Sequence, residues 1–154
     1  MDEWESWKAG EAAAYLRVVR KSLLEQQRLI DEIEVERSLM PGIDYSRERV
    51  KSSPRHDSLE RSVIKLEELE VRHAEQLEEC VELRAEAVAA IDRLEDVRYK
   101  TMLTLYYVDG HSWETVAEKA RYNVQYCKDL RAEALPLFWE VMPRSAKTRI
   151  PRAD

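Results

Sequence analysis

From about Asp2 to Leu39, the residues Leu16, Val19, Leu23, Gln26, Ile30 and Ile33 follow one another at steps of three and four. That rhythm gathers them on one stripe of an α-helix, the a/d seam of a coiled coil. It excludes a strand, whose apolar residues alternate. Gln26 interrupts the seam with an amide, which sets register at some cost in stability. Trp4, Trp7 and Tyr15 precede the cleanest part of the stripe and are expected to dock within the fold; a partner surface is the alternative.

Met40-Pro41-Gly42 ends this helix, because Pro41 lacks an N–H and restricts the residue before it. A loop is expected from Pro41 to His56, with a second breaker at Pro54. Arg47, Arg49, Lys51 and Arg55 cluster there, diluted by Asp44 and Glu48. The cluster reads as a solvated connector or as an accessory phosphate contact. A second long helix is expected to open at Asp57 or Ser58, with Asp57 and Glu60 as a capping box, and to run to about Glu95. Its apolar positions are Leu59, Val63, Leu66, Leu69, Leu77, Cys80, Leu83, Ala87, Ile91 and Leu94; Glu70, His73 and Arg84 interrupt them. Two such helices bury their stripes against each other as an antiparallel hairpin, or pair across a dimer.

The composition fits an all-α protein: 36% charged, 44% hydrophobic and only 3 Gly in 154 residues. Cys80 and Cys127 are too few for a disulfide scaffold and read as small buried side chains. The 3 histidines, His56, His73 and His111, stand apart, so no metal is expected. No glycine-rich phosphate loop or nucleophile motif is present, and neither a cofactor nor catalysis is expected. No apolar run approaches the ~20 residues of a membrane span. The acidic start, Met-Asp-Glu-Trp-Glu, is unlike a secretory signal, so a soluble cytoplasmic protein is expected.

The stretch from Tyr99 to Leu137 predicts three shorter helices. The first, Val97 to Tyr107, carries Met102, Leu103, Leu105 and Tyr106 on an apolar surface, and Asp109-Gly110 stops it. Ser112 caps a second, Trp113 to Ala120, with Trp113, Val116, Ala117 and Ala120 inward. Asn123 caps a third, Val124 to about Leu135, with Cys127, Leu130 and Ala134 facing the core. A short helix, a tight turn and a longer helix is the helix-turn-helix layout.

At these residues the run Leu103-x-Leu-Tyr-Tyr-Val-Asp-Gly-His-Ser-Trp-Glu-Thr-Val-Ala-Glu resembles region 4 of bacterial sigma factors. With Ile91 to Arg98 and the long charged helices before it, the chain looks like the phage and prophage late-transcription regulators of the ArpU/RinA type. The sharp motifs span roughly Ile91 to Leu137. The spacing and breakers predict a long helical hairpin (1–96, loop at about 40–57), a helix-turn-helix domain (97–143) and a basic, disordered tail (144–154). The resemblance implies a sequence-specific DNA-binding transcription regulator acting with RNA polymerase, its long helices pairing as a homodimer or contacting the polymerase.

The third helix would then lie in the major groove. Gln125 would pair with an adenine edge, Val124 would touch a thymine methyl, and Tyr126, Lys128 and Arg131 would hold phosphates or bases. Asn123 begins this helix, and Ser112 offers its helix start to a phosphate. The turn reads Ala120-Arg121-Tyr122 where such turns commonly carry glycine, so a non-glycine residue takes a strained conformation at modest cost. Asp129 stands where these proteins commonly have a basic residue; it accepts from a cytosine amino group or repels phosphate.

Charge weighs against simple phosphate binding. Residues 98–154 hold 10 basic and 7 acidic side chains, but residues 98–143 hold 6 of each. The neutral balance favours a second reading, an interaction protein that engages polymerase or another regulator without reading DNA. A small terminase subunit, which also combines helix-turn-helix and coiled-coil parts, is the third.

Overall fold

The computed structural model describes residues 2–39 and 54–147, with the backbone alone at 54–56. In chain order they form α1 (Glu3–Leu39), α2 (Pro54–Ile91), α3 (Val97–Leu103), a π-helical turn (Thr104–Val108), α4 (Trp113–Ala120), α5 (Val124–Val141) and a 3-10 turn (Arg144–Ala146). No strand occurs among the described residues, as the helical spacing predicts. The stop at Met40-Pro41-Gly42, the basic residues Arg47, Arg49 and Lys51, the Arg55 side chain and the tail beyond Lys147 lie outside the described residues.

The chain packs as two units, Met1–Leu24 with Cys80–Asp154, and Glu25–Glu79. This grouping differs from the boundary drawn at residue 96. In the first unit, Ala12, Leu16 and Val19 of α1 and Ala87, Ala90 and Ile91 of α2 share a core with the C-terminal helices. Leu103, Tyr107, Val108, Leu135, Phe138 and Trp139 complete that core. The physical reason is size: a segment of roughly 45 residues is marginal by itself and gains stability from a larger shared core. Trp4 stacks on Trp7 with ring centroids 4.9 Å apart, and both meet the edge of Trp139. The N-terminal aromatics therefore dock within the fold. Tyr15 packs on Phe138 and donates to Glu86 at 2.7 Å; burial first, then this bond, pushes its phenol up.

In the second unit Leu29, Ile33 and Leu69 form a small buried cluster, flanked by Leu66. Ion pairs Arg37–Glu70 (2.7 Å) and Lys65–Glu36 (2.8 Å) accompany it. Gln26 is buried, as its place on the seam implies. The next seam residue, however, is Leu29 (0% exposed), while Ile30 is 42% exposed. Two successive steps of three, Leu23 to Gln26 to Leu29, rotate the stripe on α1; such a stammer locally overwinds a seam.

Along α2, Leu69, Cys80 and Ala87 are buried and Leu66, His73, Gln76 and Leu83 half-buried, a regular alternation of threes and fours. Gln76 therefore takes the seam position expected of Leu77, which is 43% exposed. Arg84 lies off the seam, and its guanidinium donates to Asp109 at 3.1 Å. The helix opens at Pro54, where a missing N–H costs nothing, so Asp57 sits in its first turn rather than at its cap. It closes at Ile91, before the expected Glu95, with Leu94 N donating to Ile91 O in a tightened turn.

The helix expected from Val97 to Tyr107 is α3 followed by the π turn, in which Asp109 N donates to Thr104 O at 2.8 Å. The wider turn brings Tyr107 and Val108 into the core with Leu103, leaving Leu105 and Tyr106 half-buried. Gly110 then adopts φ +73°, which a side chain rarely tolerates; a Cβ there would lie 3.1 Å from Leu23 Cδ2. Arg20 of α1 locks this corner. Its guanidinium donates to Tyr106 O at 2.6 Å and His111 O at 3.1 Å and stacks 4.1 Å over the Tyr106 ring. Arg20→Ala removes charge-assisted bonds from two part-buried carbonyls, and is expected to cost about 2 kcal/mol by denaturant titration.

A candidate nucleic-acid interface on α4 and α5

Helix α4 starts where Ser112 accepts from Thr115 N at 3.3 Å, and α5 starts where Asn123 accepts from Tyr126 N at 2.7 Å. Both caps stand where the sequence places them. Between the helices Arg121 takes φ 61°, ψ 41°, the left-handed conformation, and is the only non-glycine residue with positive φ among those described. The non-glycine turn residue is thus strained, as expected. Arg121→Gly relieves that strain at an exposed position, and is expected to stabilise the fold by about 0.5–1 kcal/mol. Thermal melts check the sign.

Met102, Val116, Ala117, Cys127 and Leu130 bind α3, α4 and α5 together. Burial pushes the Cys127 thiol up, so it behaves as a packed side chain rather than a reactive one. Tyr106 stacks on half-buried Trp113 at 4.1 Å, which turns that indole inward. Helix α5 continues through Pro136 to Val141, six residues past the expected end at Leu135. Pro136 forgoes one helical hydrogen bond, and the burial of Phe138 and Trp139 beyond it offsets that loss.

The seven residues proposed from the sequence fall into three groups. Gln125 and Lys128 are exposed on the N-terminal half of α5, beside exposed Asp129, Ala132 and Glu133. Ser112 and Asn123 are exposed but occupied as helix caps. Val124, Tyr126 and Arg131 do not simply point outward: each is half-buried. Val124 packs against the Met102–Leu130 cluster. Arg131 turns back across the domain, donating from Nη1 to the Tyr107 hydroxyl at 3.2 Å, with its guanidinium 5.6 Å from the centre of the Trp113 ring. A long arginine one turn beyond the exposed patch reaches an inward hydroxyl, and helical periodicity alone hides that bend.

Tyr126 is held by Arg98, whose Nη1 donates to the tyrosine hydroxyl at 3.0 Å. Asp96, the cap of α3, accepts from Arg98 Nη2 at 2.9 Å. This bond holds the Asp96 carboxyl below its usual range and pushes the guanidinium up. Arg98 thereby presents a fixed cation beside the start of α5, a residue that sequence spacing does not single out. Gln125 Nε2 donates to Asp129 Oδ1 at 2.9 Å, a pairing that the i, i+4 spacing does disclose.

Among the described residues no cluster of three or more His, Cys, Asp or Glu could hold a metal, and no helix is long and apolar enough to cross a membrane. Comparison with family models, curated proteins and solved structures finds no match.

Proposed function

We propose that α4, the Arg121 turn and α5 form a helix-turn-helix that reads double-stranded DNA, and that the protein is a transcription regulator of phage or prophage type acting with RNA polymerase. The observation that carries this reading is the pairing of a two-turn helix with a longer one across a left-handed turn. Both helices are capped, and Gln125 and Lys128 are exposed on the first half of α5. In this reading α1 and α2 form a hairpin that supports the reader and pairs with a second copy. Ile64 and Val71, seven residues apart on α2, are 50% and 56% exposed and suit a helical partner.

The exposed charge near α5 limits the electrostatic part. Arg98, Lys119, Arg121 and Lys128 are the exposed cations of α3 to α5, among exposed Glu114, Glu118, Asp129 and Glu133. Neutralising at most about four phosphates predicts a slope of log affinity against log salt no steeper than roughly −3.6. Fluorescence anisotropy on a random duplex measures it. A slope beyond about −5 would put the phosphate contacts on another surface. The even charge also favours the second reading, a sigma-like domain that docks on polymerase; absence of DNA binding by the folded protein would select it. A ring of eight or more subunits in solution would instead favour a small terminase.

A further inference from the structure

We infer that Asp129 is a specificity-determining positioning residue, holding the Gln125 amide in the orientation that reads adenine. The inference rests on the DNA-reading proposal above and names the base that this site selects. Both residues are exposed on the same face of α5, and Gln125 Nε2 donates to Asp129 Oδ1 at 2.9 Å.

A glutamine amide has two N–H donors and one carbonyl acceptor. The carboxylate only accepts, so it takes an N–H and rejects the flipped amide, whose carbonyl would face it. The second N–H and Oε1 remain for a ligand. That donor and acceptor match N7 and the N6 amino group of adenine. Guanine offers two acceptors, N7 and O6, and sets one of them against Oε1. Fixing the amide beforehand also removes rotamer freedom that an unheld glutamine loses on binding.

The carboxylate has a second effect. On a surface that approaches phosphates, its charge opposes every sequence alike, while its hydrogen bond favours only the site with adenine in register. Specificity rises from both sides. This accounts for an acidic side chain in the middle of a face proposed to meet DNA.

The test is selection from a random duplex pool, with per-position base preference and affinity for random duplex as readouts, for the wild type, Asp129→Asn, Asp129→Ala and Gln125→Ala. Asn loses the charge and, because its amide can donate as well as accept, no longer rejects the flipped Gln125 amide. Asp129→Asn should therefore bind random duplex more tightly and relax the adenine preference, though less than removal of the side chain does. Asp129→Ala should show the same gain on random duplex but lose about tenfold of its adenine preference at one position, the position that Gln125→Ala also relaxes. Asp129→Ala/Gln125→Ala should relax it no further than Gln125→Ala alone. An intact adenine preference in Asp129→Ala overturns the inference, as does loss of a cytosine preference, which marks direct contact by the carboxylate. A wild type with no enriched motif overturns the DNA-reading proposal as well; a motif indifferent to Asp129 overturns this inference alone. Thermal melts of all variants exclude unfolding as the cause.

Discussion

Phe138→Ala is expected to destabilise the fold by about 3–5 kcal/mol, the cost of deleting a large core side chain and leaving a partly collapsed cavity. Phe138 is 0% exposed and belongs to the core that joins α1, α2 and α5. It packs on Tyr15 of α1 with ring centroids 6.0 Å apart, and Trp139 beside it donates from its indole nitrogen to Glu11 at 3.1 Å. The substitution therefore weakens the attachment of the N-terminal helix as well as α5. For a chain of this length the loss corresponds to roughly 6–20 °C in Tm. Calorimetry checks it, and a change under about 1 kcal/mol would contradict the shared core. Leu137→Ala, next to it but 49% exposed, serves as the control and should shift stability little.

The second large effect falls on binding. Gln125→Ala/Lys128→Ala removes two exposed polar side chains on the first turns of α5, and neither is part of the core. The proposed adenine contact is worth about 1–3 kcal/mol of discrimination, and the lysine adds a phosphate contact. The variant should lose at least about tenfold in affinity for its selected duplex while keeping the wild-type melting temperature. Arg131→Ala should behave in the opposite way. Its guanidinium is half-buried and bonded to Tyr107, so it should lower stability and leave base preference unchanged.

The fold was legible where a residue's role depends on near neighbours. Ser112 and Asn123 are caps because a short polar side chain precedes an apolar period, and both accept the backbone N–H three residues on. Cys127, Leu130 and Ala134 face the core because spacing fixes their side of α5. Legibility failed where distant segments decide. Nothing near Pro136 shows that Phe138 and Trp139 are held by α1, so helical spacing alone ends α5 too early. Leu29 displaces Ile30 because seam phase follows the packing partner rather than an unbroken heptad. The π turn arises because Tyr107 and Val108 are both drawn into the core, which periodicity of 3.6 does not anticipate.

The exposed patch was half legible. Gln125, Lys128 and Asp129 lie where helical spacing puts them, and the Gln125–Asp129 bond follows from their i, i+4 separation. Arg98 entered only with the structure, because its approach to Tyr126 depends on how α3 packs against α5.

The most direct test of the account is selection of bound duplexes from a random pool at near-physiological salt, with wild-type protein beside Gln125→Ala/Lys128→Ala. The wild type should enrich a motif that the variant, equally folded, does not recover. If the helices pair as a dimer, the motif has two half-sites about one helical turn apart. A folded wild type that enriches nothing would contradict direct reading of DNA by α5.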